Sequence, residues 1–256
     1  MRILTGAFPK IEGRCVVAMG TFDGVHLGHR AVISRAVEIA REMGCPSCVW
    51  CFDIPPRVIF TGENAELITT HKEKSALISS LGVDIMVRIA PTKELLSMLP
   101  DEFLKALFDA LSPAHIVTGF NFTFGAGARG NVDTLTVYAA RSGVGTTTIG
   151  SVTAADGKTV SSTLIRETIR RGEVSQCRAY LGRNFTVEPT YKNSRAYLPD
   201  RVAVPPKGKY EALVYFFGGK GNSSEIITVS DDGEINSERL TTALPEKIEF
   251  LRRIPD

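Results

Sequence analysis

Two short segments carry the residue types that handle phosphate. Gly-Thr-Phe-Asp-Gly-Val-His-Leu-Gly-His occupies residues 20–29, and Ser-Ser-Thr-Leu-Ile-Arg occupies residues 161–166. In the first, Gly20 and Gly24 let the backbone turn tightly and approach a ligand, and Gly28 opens a helix without a side chain over its amides. Those amides and the helix dipole form an anion site. His26 and His29 flank Gly28 and add ring donors and partial positive charge. A phosphate chain is the natural occupant. In the second segment, Ser161, Ser162 and Thr163 meet another loop–helix junction. Hydroxyls there often serve only as helix caps, but Arg166, one turn in, adds a guanidinium fork suited to phosphate.

Other readings of the same residues are weaker. Zinc needs three or four ligands, and the remaining histidines, His71 and His115, lie far along the chain. Gly125–Gly130 spells G-x-G-x-x-G. A dinucleotide fingerprint should follow a strand directly and precede an acidic residue about twenty positions on. Here the aromatic stretch Phe120–Phe124 intervenes, so a Gly-rich loop beside the nucleotide fits better. Cys45, Cys48 and Cys51 suggest a metal motif, but on a strand Cys48 and Cys51 point to opposite faces. Buried free thiols are the expectation. The basic run Arg166–Arg171 reads as a solvated helix face apart from Arg166.

The elements that must position these residues alternate. Apolar runs at 16–19, 48–52, 83–89, 115–118 and 145–152 read as strands. Helical periodicity marks 29–43, 72–81, 101–111, 132–141, 162–171 and 174–181. Strand and helix in alternation predict a parallel sheet covered on both faces. From about Pro189 the pattern changes to short strands with turn signals, such as Gly218-Gly219 and Asp231-Asp232-Gly233. A boundary near residue 185 follows from this change, with domains at 1–185 and 186–256.

Composition agrees with a globular protein. Of 256 residues, 43% are hydrophobic and 23% charged, which excludes disorder and collagen-like repeats. Lys and Arg total 30 against 28 Asp and Glu, a net charge of +2 with no long run of one sign. Nucleic-acid binding by bulk electrostatics is not expected. No stretch approaches the roughly 18 apolar residues of a membrane span. No signal peptide is apparent, and five cysteines then read as reduced thiols in the cytoplasm.

Together the two phosphate segments resemble the HxGH and ISSTxxR motifs of the class I nucleotidylyltransferases. The form at residues 20–29 is similar to that of the prokaryotic FAD synthetases, which transfer AMP from ATP to FMN. Phe52-Asp-Ile-Pro-Pro-Arg57 falls where that family has Phe-Asp-Pro-His-Pro, and Gly119-Phe-Asn-Phe-Thr-Phe-Gly125 where it has Gly-x-Asp/Asn-Phe-x-Phe-Gly. Thr69-Thr70 with Glu73-Lys74, Gly82-Val83-Asp84, Phe103 and Gly130 are softer matches. The resemblance covers about residues 1 to 183. It implies a Rossmann-like, doubly wound α/β domain of the HxGH nucleotidylyltransferase type, followed by a small antiparallel β domain. It implies catalytic roles for His26, His29 and Arg166. It implies ATP binding by Gly20, Phe22, Asp23, Gly24, Gly28, Asn121, Ser162 and Thr163, and FMN binding by Phe52, Asp53, Pro56, Arg57 and Phe124. Mg²⁺ would accompany ATP, with FMN as substrate and FAD as product. One departure stands out: Ile54-Pro55 replaces the family's Pro-His pair.

Members of that family usually carry a riboflavin kinase barrel with a Gly-x-Pro-Thr-Ala-Asn run and a later catalytic Glu. Here Pro189-Thr-Tyr-Lys-Asn193 breaks the run, and only Glu225 offers a weak counterpart to the Glu. A shortened, kinase-inactive remnant is expected. Three alternatives remain: the bifunctional enzyme, a cytidylyltransferase-like enzyme with another phosphorylated acceptor, and a non-catalytic flavin- or nucleotide-binding protein. ATP and FMN are the expected partners, without nucleic acid or membrane, and a weak homo-oligomer is left open.

Overall fold

The strands with the most continuous apolar runs take the centre of a parallel sheet. The structure is a computed structural model and describes residues 1–61, 66–219, 221–241 and 243–255. Two compact units emerge. The first comprises Met1–Ala65 and His71–Val152, the second Glu66–Thr70 and Thr153–Asp256.

The first unit runs β1 (Arg2–Thr5), β2 (Cys15–Gly20), α1 (Leu27–Met43), β3 (Ser47–Phe52), α2 (Val58–Thr61), α3 (His71–Ser80), β4 (Ile85–Ile89), α4 (Lys93–Ser97), α5 (Pro100–Leu111), β5 (Pro113–Gly119), β6 (Thr123–Phe124), β7 (Gly130–Asn131), α6 (Val132–Arg141) and β8 (Gly145–Ile149). Its six-stranded sheet has the order β1-β4-β3-β2-β5-β8. Every pairing in it is parallel. From β2 the chain winds outward through β3 to β4, then returns to the other side of β2 with β5 and β8. Strand order therefore reverses between β2 and β5, and the carboxyl ends of strands at such a point open a crevice.

Period-two alternation puts successive residues of a strand on opposite faces. Cys15, Val17, Met19, Cys48 and Trp50 pack with Phe103, Leu104 and Leu107 of α5 and Leu135 of α6. Val16, Ala18, Val49 and Cys51 pack with Val32, Ile33 and Ala36 of α1 and Ile78 of α3. Helices thus cover both faces, and Cys48 and Cys51 face opposite ways. The doubly wound α/β fold read from the sequence is the fold observed. Strand β1 had no signal in the sequence, being four mostly exposed residues at the sheet edge.

In the second unit, Leu67 forms a parallel bridge with Val202. The chain continues through α7 (Ser162–Arg170), a 3₁₀ turn at Val174–Gln176 and α8 (Cys177–Leu181). Seven antiparallel strands follow: β9 (Phe185–Val187), β10 (Thr190–Lys192), β11 (Arg195–Tyr197), β12 (Gly208–Phe216), β13 (Asn222–Val229), β14 (Glu234–Asn236) and β15 (Pro245–Ile254). Their order is β10-β11-β14-β13-β12-β15-β9. Along β12, Tyr210, Ala212, Val214 and Phe216 are buried while the residues between them are partly exposed. This is the small antiparallel domain that the change of pattern predicted. Among the described residues, no helix is long and apolar enough to cross a membrane.

Candidate active site

Three of the motif segments leave the carboxyl ends of neighbouring strands in the first unit. Gly20 at the end of β2 is in register with Cys51 of β3. Met19 is in register with Thr118 of β5. Residues 20–26, 52–57 and 119–125 therefore start side by side at the switch point. The turn after β2 is conformationally costly. Phe22, Gly24 and Val25 have φ of 53°, 81° and 40°. Left-handed backbone is rare for a β-branched residue such as Val25, and such strain persists only where surroundings enforce it. Gly20 is part of that enforcement, because a Cβ there would lie 2.9 Å from the Phe22 ring. Phe22 is buried and meets His29 edge-on, with ring centroids 5.4 Å apart. Asp23, in the same turn, is also buried.

The helix α1 starts at Leu27, two residues earlier than its periodicity suggested, and this changes the role of His26. His26 is the cap: its Nδ1 accepts the His29 backbone N–H at 3.3 Å. An accepting Nδ1 carries the lone pair, which places the ring proton on Nε2. One first-turn amide is thus occupied by the histidine ring, and an anion at this end would meet the others. The His26 and His29 rings are stacked with centroids 3.5 Å apart and an interplanar angle of 19°. Gly28 makes room for this, since a Cβ on it would lie 3.2 Å from the His26 ring. Burial, then the adjoining His26 ring and the Lys74 ammonium, holds the His29 imidazole well below its usual range. Its Nδ1 is buried without a hydrogen-bond partner. Neutral, closely placed ring donors of this kind can receive phosphate oxygens.

Lys74 of α3 is the residue that sequence reasoning undervalued. It is 2% exposed. Its Nζ donates to the carbonyls of Thr21 (3.3 Å), Phe52 (2.7 Å) and Asp53 (3.3 Å). A signal existed, because Lys74 lies one turn before the buried Ile78 and so occupies the core-facing side of its helix.

The segment after β3 is anchored by Asp53. Its carboxylate accepts the Arg88 Nε at 2.9 Å, and His71 Nδ1 lies 3.8 Å away. Burial depresses the His71 pKa, opposed by Asp53. Phe52 packs against Trp50 at 5.1 Å, Pro56 is half-buried and Arg57 exposed. After β5, Asn121 sits in a turn closed by Phe122 N–H donating to the Gly119 carbonyl at 3.1 Å. Phe120 is 54% exposed, whereas Phe124 turns inward at 6%. The Phe124 ring packs 5.3 Å from Phe103 and 5.7 Å from Phe122. The G-x-G-x-x-G stretch forms a 3₁₀ turn at Ala126–Ala128 and joins β6 to its partner β7. It leads into α6, capped by Asn131, which accepts the Thr134 N–H at 2.9 Å.

The hydroxyl segment opens α7 in the second unit. Ser161 is the cap, its Oγ accepting the Leu164 N–H at 3.2 Å. Ser162 and Thr163 are the first helical residues, and Arg166 on the next turn is 8% exposed. A buried guanidinium implies demanding surroundings, because burying charge is costly. All five cysteines are free thiols, four of them buried and Cys45 half-buried.

A family model described as FAD synthetase matches residues 8–164. The chain belongs to the FAD synthetase family. Over 178 residues it is 36% identical to the bifunctional riboflavin kinase/FMN adenylyltransferase of Listeria monocytogenes serovar 1/2a (strain ATCC BAA-679 / EGD-e), covering 68% of this chain and 56% of that protein. Over 180 residues it is 34% identical to the bifunctional riboflavin kinase/FMN adenylyltransferase of Pseudomonas fluorescens, covering 70% and 57%. The chain thus spans little more than half the length of these two relatives. A protein named FAD synthetase from the same Listeria strain is 27% identical over 208 residues, covering 79% of this chain and 83% of that one. Among solved structures, a macrolide-efflux protein from Streptococcus pneumoniae matches with a TM-score of 0.86 at 22% identity, covering 99% of this chain and 100% of that chain. At that identity the likeness speaks for the fold.

Proposed function

We propose that this chain transfers the AMP moiety of ATP to FMN, yielding FAD and pyrophosphate, and does not phosphorylate riboflavin. The observation that carries the reading is the stacked His26–His29 pair at the capped start of α1, at the switch point of the parallel sheet. An oxygen of the FMN phosphate attacks the α-phosphorus of ATP. The new P–O bond forms as the bond from that phosphorus to the bridging β-oxygen breaks, and pyrophosphate takes the electron pair. A phosphate monoester, with a second pKa near 6, is mostly dianionic at about pH 7, so no general base is required. The protein's tasks are positioning and stabilisation of developing charge.

In this reading His26, through Nε2–H, and His29 contact the ATP phosphates and the transition state. Arg166 with Ser162 and Thr163 holds the β- and γ-phosphates. Gly20, Phe22, Asp23, Gly24, Gly28 and Asn121 shape the nucleotide site. Phe52, Asp53, Pro56, Arg57 and Phe124 shape the acceptor side, with Asp53 acting through Arg88. Among the described residues, no three His, Cys, Asp or Glu side chains form a metal cage. Mg²⁺ is expected to accompany ATP, held largely by triphosphate oxygens and water, where it would screen phosphate charge. Residues 1–185 are assigned to transfer and 186–256 to the β domain, working in the cytoplasm with ATP and FMN as partners. The kinase is left out because of residues 189–193. Asn193 and Ser194, with φ of 49° and 62°, form the two-residue turn of the β10–β11 hairpin. Positive φ at both central positions is the signature of a tight type I′ connection. Thr190–Lys192 form strand β10 and Asn193 opens its turn, in the stretch where the resemblance implies the kinase's Pro-Thr-Ala-Asn run.

The test incubates the protein with ATP and Mg²⁺ plus either FMN or riboflavin and separates the products by chromatography. FAD from FMN, with no FMN from riboflavin, is expected. Absence of FAD overturns the transfer reading, and conversion of riboflavin to FMN overturns the exclusion of the kinase.

A further inference from the structure

We infer that Lys74 is a positioning residue for the proposed transfer, clamping the loop that carries the histidine pair to the loop that carries Asp53. The inference rests on the transfer reading above. Lys74 stands on α3 and reaches the carboxyl ends of two adjacent strands. Its Nζ meets the Thr21 carbonyl on the β2 side, and the Phe52 and Asp53 carbonyls on the β3 side. An ammonium has three donors and no acceptor. All three are engaged by main-chain carbonyls, so Lys74 acts through the loops and not on a phosphate directly.

Each end of the clamp matters for the site. The Thr21 carbonyl belongs to the peptide that enters the left-handed turn at Phe22, whose ring abuts His29. The Asp53 carbonyl belongs to the residue whose carboxylate holds Arg88. One side chain therefore ties the nucleotide-side loop to the acceptor-side loop. Packing alone does not call for a lysine here. Burying an ammonium carries a desolvation cost that an aliphatic side chain, such as the neighbouring buried Ile78, avoids. The charged group earns its place through directional bonds to both loops, which set the approach of the attacking oxygen to the α-phosphorus. Misplacement by about 1 Å at this step costs about 100-fold.

The experiment compares Lys74→Met and Lys74→Gln with the unaltered protein. ATP and FMN binding are measured by calorimetry, including stoichiometry, and kcat for FAD formation is measured per binding site. The expected result is full stoichiometry, dissociation constants within about threefold, and kcat lowered about 100-fold. A merely structural role would lower stoichiometry and activity in proportion, leaving kcat per site unchanged. The inference is overturned if kcat per site stays within about threefold of the unaltered value in whichever variant folds, whatever happens to binding. If neither neutral variant folds, Lys74→Arg, which keeps charge but not the compact ammonium, is judged by the same criterion. If the unaltered protein makes no FAD, the transfer reading itself fails, a result distinct from a Lys74 variant with normal kcat.

Discussion

The His26 ring caps α1 by accepting the His29 N–H at 3.3 Å and lies flat against the His29 ring, centroids 3.5 Å apart. One side chain therefore shapes the helix terminus and forms a wall of the neighbouring imidazole. Structural and chemical roles can be separated because other residues cap helices well.

His26→Ala should remove both roles. Loss of a side-chain cap costs about 1 kcal/mol, and transfer should fall at the same time. His26→Asn restores a capping oxygen. Urea unfolding should show most of the lost stability regained in His26→Asn, while FAD formation stays as low as in His26→Ala. Recovery of activity along with stability would mean that His26 serves the helix alone.

His29→Ala should leave the fold intact and lower kcat/KM for transfer by about 10²–10³, the usual cost of one donor to a charged transition state. Circular dichroism and product chromatography check the two halves. Near-normal turnover in a folded variant removes His29 from the mechanism.

Three histidines, His29, His71 and His115, are held below their ordinary range chiefly by burial. Their folded form favours the neutral ring. The unfolded chain binds protons from about pH 6.5 downward, so in that window it holds more protons than the folded protein. Stability contributed by these rings is complete above about pH 6.5 and lost as pH falls toward the depressed folded values. Melting temperature should decline between about pH 7 and 5.5. His29→Gln should flatten that decline, and an unchanged slope would count against a buried neutral His29.

Gly130→Ala should destabilise the first unit without touching the phosphate segments. A Cβ there would fall 2.5 Å from the Phe124 ring, and that ring is wedged beside Phe103 in the core. Overpacking of this kind costs about 1–3 kcal/mol. A lowered urea midpoint at unchanged m-value is the expected signature.

What the sequence determined by itself was local or periodic. Apolar spacing marked the buried strands at 48–52 and 115–118 and the helices at 101–111 and 132–141, because burial imposes periods of 2 and 3.6 on any chain. The residue types of 20–29 and 161–166 carry the proposed phosphate site, because glycine, histidine and hydroxyls at helix starts together suit phosphate oxygens. The tertiary structure decided what depends on which strand ends meet. Asp53 finds Arg88 only because β3 and β4 are neighbours in parallel register. Lys74 finds the carbonyls of Thr21 and Asp53 only because α3 ends up over the carboxyl ends of β2 and β3. Phe120 and Phe124 look alike in sequence, yet one faces solvent and the other the core, a choice made by the turn at Gly119–Phe122 and the space that Gly130 leaves. Hydrogen bonds and packing between residues distant in the chain carry no spacing signal, and it is they that turn a recognisable motif into a built site.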